Sequence, residues 1–298
     1  MSDHFRSEVI LRNVAIATDF SSWSERAMQH AMAVARQFGA VLHFLHIARP
    51  SEFPFAPDIM PQLDELADRD CKALVGRLDA AHKLDDVEHH CWTAAGEVFE
   101  VFGSFVRDHN IDLLVLGTRG RKGISKLLLG SIAQQIFHCV YCPVLTVGPW
   151  SPGASARLQL KKLLFATDLS AESAAAIPYV LTAANTWHAE VDVVHVCSSG
   201  DSNCRQRMDD FSHEMDALRI GETNFPIRYH VLPGRPASTV LNFAGRNREN
   251  LIVLGLESRR ALYTGPSLSH AYSIVRQAQC PVLSVRSLPV SIAGRQVH

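Results

Sequence analysis

At 298 residues the chain is long enough for two domains, and a small fold that depends on disulfide staples is excluded. Hydrophobic residues make up 47% and charged residues 20% of it, which allows each half a buried core and rules out wholesale disorder. The formal net charge is −1, so no global field favours nucleic acid or an anionic membrane as a partner.

Ahead of Arg12 the longest apolar stretch is Val9-Ile10-Leu11, far short of a signal-peptide core, and no apolar run reaches the ~18 residues of a membrane-spanning helix. A cytoplasmic chain without a membrane partner is therefore expected. The seven cysteines are odd in number and scattered, so reduced thiols are the expectation. Strands are predicted near residues 13–17, 41–47, 88–93, 112–116 and 143–147. Several are short apolar runs, such as Leu113-Leu114-Val115-Leu116, that suit strands covered on both faces. Between the first two strands a helix is predicted from Trp23 to Phe38, with Gly39 as its stop. Phe53 to Pro61 is proline-rich and reads as a loop, and Trp150 to Leu160, with Ser151, Pro152 and Gly153, reads as a linker. Strands alternating with helices imply right-handed crossovers and a doubly wound parallel sheet.

The pattern then repeats. Ala17-Thr18-Asp19-Phe20-Ser21 returns as Ala166-Thr167-Asp168-Leu169-Ser170, and His46 as His195, both 149 residues on. Val115-Leu116-Gly117 returns as Val253-Leu254-Gly255, and Cys142-Pro143-Val144-Leu145 as Cys280-Pro281-Val282-Leu283, both 138 residues on. The repeat unit is the half-chain, with an insertion in the first copy between His46 and Gly96. Two α/β domains are predicted, 1–150 and 151–298.

In an open parallel sheet, ligands bind beyond the carboxyl ends of the strands, where the strand order reverses. Asp19 and the loop opened by Gly117 both fall at strand ends. That loop reads Gly117-Thr-Arg-Gly120, nine residues, then Gly130-Ser131, ahead of a helix predicted from Ile132 to His138. Glycines let backbone amides approach an anion, a helix N-terminus adds unpaired N–H donors, and Ser131 adds a hydroxyl. Arg119, Arg121, Lys122 and Lys126, with no acid among them, give the segment a local charge of +4. The arrangement suits phosphate. Glycines that serve only a strand-to-helix turn are the alternative.

Each half resembles the universal stress protein domain, whose ATP-binding members carry G-x2-G-x9-G-[ST], matched here by Gly117, Gly120, Gly130 and Ser131. The resemblance covers essentially the whole chain as a tandem pair. It implies two Rossmann-like domains, each a five-stranded parallel sheet of order 3-2-1-4-5, and ATP with Mg or Mn at the ends of strands 1, 2 and 4. Residue by residue, it implies that Ala17 and Asp19 lie by the adenosine and that the backbone of Ile47 faces the base. Leu116, Gly117 and Arg119 would line the ribose side, while Gly120, Gly130, Ser131 and Ile132 would cradle the phosphates. It further implies stress response through nucleotide-dependent conformation or partner binding, with a protein partner or a homo-oligomer in view. A weak ATPase or phosphotransferase and a scaffold that binds no nucleotide are the competing readings, and no catalytic or metal-ligating residue is assigned.

The second half departs from the motif. Gly255 and Ser269 remain, but Ser258 stands in the place of Gly120 and Leu268 in that of Gly130, and Glu257, Arg259 and Arg260 leave a loop charge of +1. A leucine adds bulk where an amide would meet phosphate. Asp168 remains, with capping of the following helix as the simpler role. Cys139 and Cys142 lack a redox context, and His43 and His46, three apart on a strand, point to opposite faces and so cannot share a metal. Gly234-Arg-Pro236, like Gly96, reads as a helix start.

Overall fold

The computed structural model describes residues 9–48, 60–118, 136, 140–155, 158–198, 201–219, 225–256 and 266–287. The chain divides into two compact units, Ile10–Leu158 and Gln159–His298, the latter joined by Val9, whose amide donates to Thr182 Oγ1 at 2.9 Å. No helix among the described residues is long and apolar enough to cross a membrane.

In the first unit the strands are β1 (Asn13–Ala17), β2 (Val41–Ala48), β3 (His89–Ala95), β4 (Leu113–Gly117) and β5 (Val144–Val147), with helices α1 (Ser22–Phe38), α2 (Met60–Ala80) and α3 (Val98–Asp108). Every described strand pair is parallel, and the order is β3-β2-β1-β4-β5. Central β1 is sealed on both faces, with Val14, Ala15 and Ile16 at 0% exposure, which is why its sequence is a plain apolar run. The α1 helix starts where the Ser21 hydroxyl accepts the Ser24 amide at 3.2 Å, and stops at Gly39, whose φ of 62° suits a residue without a Cβ.

The second unit repeats this order as β8-β7-β6-β9-β10, from β6 (Lys162–Thr167), β7 (Glu190–Cys197), β8 (Ile227–Pro233), β9 (Leu251–Leu256) and β10 (Val282–Arg286). Its helices are α4 (Ala171–Ala174), α5 (Ile177–Trp187), α6 (Cys204–Ala217), α7 (Pro236–Asn247) and α8 (Pro266–Gln277). One helix of the first unit has become two. Pro178 is the reason: it has no N–H to donate and its ring crowds the carbonyl four residues back, so α4 ends and α5 restarts with proline in its first turn. Pro236 opens α7 in the same manner, as the sequence predicts.

Part of the predicted linker is packed on the first unit. Arg26 Nη1 donates to the Pro149 carbonyl at 2.7 Å, and His30 Nε2 meets the Pro152 carbonyl at 3.0 Å. Burial lowers the His30 pKa, and because the Pro152 carbonyl can only accept, Nε2 carries the proton that it donates. The thiols differ from expectation: Cys71 is bonded to Cys91, and Cys197 to Cys204. Cys71 lies on α2 and Cys91 on β3, the strand against which that helix packs, a contact that spacing along the chain does not reveal.

Candidate functional site

The carboxyl edge of the first sheet is set by register. Ala17 is level with Leu45 on one side and Leu116 on the other, and Gly117 with Val147. Ile47 sits further along β2, level with Ala94. Ala17, Asp19, Ile47 and Gly117 are half-buried at this edge, whereas Leu116 is only 3% exposed, so any ligand would meet its backbone. The structure therefore brings Ala17, Asp19, Ile47, Leu116 and Gly117 to the ends of β1, β2 and β4. Arg119, Gly120, Gly130, Ser131 and Ile132 lie outside the described residues.

The turn after β1 is held by side chains. Thr18 is buried, its hydroxyl accepts the Phe20 amide at 3.0 Å, and it lies 3.2 Å from the Ser24 hydroxyl. Phe20 takes the left-handed conformation at φ 60° and lies against the His46 ring, with centroids 4.5 Å apart. His46 Nδ1 is 2.8 Å from the Thr18 carbonyl, so the protonated Nδ1 pins the end of β1 to β2. The second unit builds the same turn from Thr167, Leu169 at φ 65°, Ser173 and His195, whose Nδ1 is 3.0 Å from the Thr167 carbonyl. These repeated residues hold the edge in shape. His43 faces elsewhere, with Nε2 at 3.1 Å from Asn13 Oδ1 and Nδ1 accepting from Trp92 Nε1, so the two histidines part as predicted.

Asp168 does not cap the helix itself. Its Oδ1 accepts the Ser170 amide at 3.0 Å and the Ser170 hydroxyl at 2.6 Å, and Ser170 then accepts the Ser173 amide. An aspartate two residues ahead of a serine forms a turn with that residue's amide, and the serine is left to serve as the cap. Asp19 stands in the same relation to Ser21, accepting its amide at 3.0 Å.

Gly255 has a packing role that the sequence conceals. A Cβ there would lie 2.4 Å from Ser173 Cα and 2.5 Å from its carbonyl oxygen, so β9 and α4 touch through backbone. The first glycine of the second copy is thus required by the fold whether or not phosphate binds. Replacing Gly255 by Val forces the helix away from the sheet, and a loss of about 1–3 kcal/mol in second-unit stability is expected by chemical denaturation. A stability equal to the parent's would show that the contact yields at no cost.

Comparison with known proteins accords with this geometry. The model of the universal stress protein family matches residues 11–148 and again 159–286. The chain belongs to that family. A universal stress protein of Methanocaldococcus jannaschii is 27% identical over 142 residues, 47% of this chain and 84% of that one. Universal stress protein A homolog 1 of Coxiella burnetii is 29% identical over 140 residues, 46% of this chain and 95% of its own. Among solved structures, a universal stress protein from Archaeoglobus fulgidus aligns over 92% of this chain and 98% of its own, with a TM-score of 0.69 and 17% identity, a likeness of fold. As a tandem universal stress protein the chain has two copies of one edge, and they differ in the sequences that succeed β4 and β9.

Proposed function

We propose that the first unit binds one ATP, together with Mg or Mn, and that the second unit binds no triphosphate and serves architecture or regulation. The observation that carries this is the contrast between the copies: after β4 the chain reads Gly117-x2-Gly120-x9-Gly130-Ser131, and after β9 Ser258 and Leu268 interrupt the same pattern. Both copies fold into the same strand order, so the shared fold does not account for the extra glycines of the first. Its four basic side chains also supply the positive charge that a triphosphate needs.

The described part of the edge fits a nucleoside. Ala17 presents only a methyl group at the strand end and Gly117 no side chain at all, and Asp19 is half-buried beside them as a carboxylate acceptor. In the proposal Asp19 and Ala17 adjoin the adenosine, the Ile47 backbone the base, and the Leu116 backbone with Gly117 and Arg119 the ribose. Gly120, Gly130, Ser131 and Ile132 hold the phosphates. Bound nucleotide would then shift conformation or partner binding in a cytoplasmic stress response. Calorimetric titration with ATP and Mg should give a stoichiometry near one per chain. A value near two, or no binding, would overturn the assignment.

A further inference from the structure

The second unit carries a thiol pair at the edge where the first is read as holding nucleotide. Cys197 is the last residue of β7, level with Pro233 of β8, and is half-buried. Cys204 is the first residue of α6, 3% exposed, and the structure bonds the two. Counting back 149 residues puts Ala48 in the place of Cys197, so the pair belongs to the second copy alone.

We propose that Cys197 and Cys204 form a reversible dithiol–disulfide site, oxidised by hydroperoxides and reduced by small-molecule thiols. This holds whether or not the first unit binds ATP. The geometry separates the roles of the two sulfurs. Cys197 is the one that a reagent can reach. Cys204 sits at the start of a 14-residue helix, where unpaired N–H groups favour a thiolate, and Arg207 Nη2 lies 3.7 Å from its sulfur. Arg207 is itself held by Asp201 Oδ2, which fixes its place, while that carboxylate, within 4.8 Å of both sulfurs, offsets part of its charge.

In oxidation the Cys197 thiolate attacks the peroxide O–O bond, giving Cys197 sulfenic acid and an alcohol that takes up the thiol proton. The Cys204 thiolate then attacks that sulfur, the S–S bond forms, and hydroxide leaves as water with the Cys204 proton. In reduction a small thiolate attacks Cys197 and Cys204 departs as thiolate. A second small thiol resolves the mixed disulfide, so two thiols are oxidised to one disulfide as the pair takes up two protons and two electrons. The Cys71–Cys91 pair serves as an internal comparison. Cys91 is half-buried like Cys197, but Cys71, 0% exposed, lies in the middle of α2, where the backbone N–H groups are already used within the helix, and not at a helix start as Cys204 does.

The test incubates the full chain in glutathione buffers of graded thiol-to-disulfide ratio, traps free thiols by alkylation and reads each cysteine peptide by mass spectrometry. Cys197 and Cys204 should pass together from alkylated to bonded within minutes along a two-electron curve, while Cys71 and Cys91 change at least tenfold more slowly. Arg207→Gln should shift the midpoint several-fold, so that the bond persists at higher thiol, because the departing thiolate loses its cation. Cys197→Ala, which copies Ala48 of the first unit, should leave Cys204 without a glutathione adduct in the folded chain. The proposal is overturned if the pair stays bonded until the chain unfolds, or stays alkylated in every buffer. It is equally overturned if the two thiols of the reduced chain are held by one equivalent of zinc.

Discussion

Gly130→Leu should lose ATP binding by about a hundredfold or more while the chain stays folded. The substitution copies Leu268 of the second unit, where the sequence already carries leucine at the corresponding place. In the proposed phosphate cradle a glycine leaves its amide unshielded, and a leucine there would put a side chain between that amide and a phosphate oxygen. Hydrogen bonds to charged groups contribute roughly 1.5–3 kcal/mol each, so losing one or two accounts for a change of that size. The measurement pairs ATP affinity with a thermal melt. Binding like the parent's would mean that the phosphates lie elsewhere, and unfolding would mean that Gly130 serves the backbone. Leu268→Gly is the control and should leave ATP binding by the first unit unchanged.

Much of the fold is legible in the sequence because the residues that make it also repeat. The runs Val14-Ala15-Ile16 and Leu113 to Leu116 read as strands because both of their faces are covered, a condition that erases alternation. Gly39 announces the end of α1 because few other residues accept its conformation. The turn after β1 is half legible: Thr18, Asp19 and Ser21 stand out as a repeat, but the Thr18–Ser24 and Thr167–Ser173 hydroxyl pairs emerge only in the structure, although both members recur at the same spacing. Gly255 marks a limit of motif matching. Glycine for an anion and glycine for a neighbouring backbone look alike until Ser173 is seen against it. The cysteine pairs escape the sequence for a related reason, since α2 meets β3, and β7 meets the start of α6, only in the folded chain.

The amino-terminal edge of the second unit hides a charge that sequence distance conceals. Glu249, 6% exposed, precedes β9 with both carboxylate oxygens buried, and in its protonated form it can donate to the Asp192 carboxylate. Asp192, on β7 and 4% exposed, lies beside it, held by His230 Nε2 at 2.6 Å and by Arg228 Nη1 at 3.9 Å. Lys162 of β6, Glu190 of β7 and Cys280 ahead of β10 complete its surroundings, the last a thiol that burial pushes up to about 12. The first unit has Ile111 in the place of Glu249 and His43 in that of Asp192, and it keeps His43 neutral at a pKa of about 4 through burial and the nearby His90 and His109.

The consequence is a stability that depends on pH in one unit. Burial first, and then the Asp192 charge, push Glu249 from 4.5 to about 8. Between those values the folded unit keeps a proton that the unfolded chain releases, so Glu249 makes stability fall as pH rises from about 4.5 to about 8 and level off above. The loss over that window is on the order of 3–5 kcal/mol. Glu249→Ile, which copies Ile111, should remove this slope and raise second-unit stability at pH 8 by a comparable amount, since an apolar residue replaces a charge that burial penalises. Glu249→Gln should also remove the slope but gain less, because a buried amide still carries a desolvation cost that isoleucine does not. Hydrogen exchange of the β7 and β9 amides at pH 5 and pH 8 reads this unit separately from the first. An unchanged pH slope in Glu249→Ile would show that Glu249 does not carry it, and a loss of stability at pH 8 would mean that the carboxylate is held by a contact worth more than its burial costs.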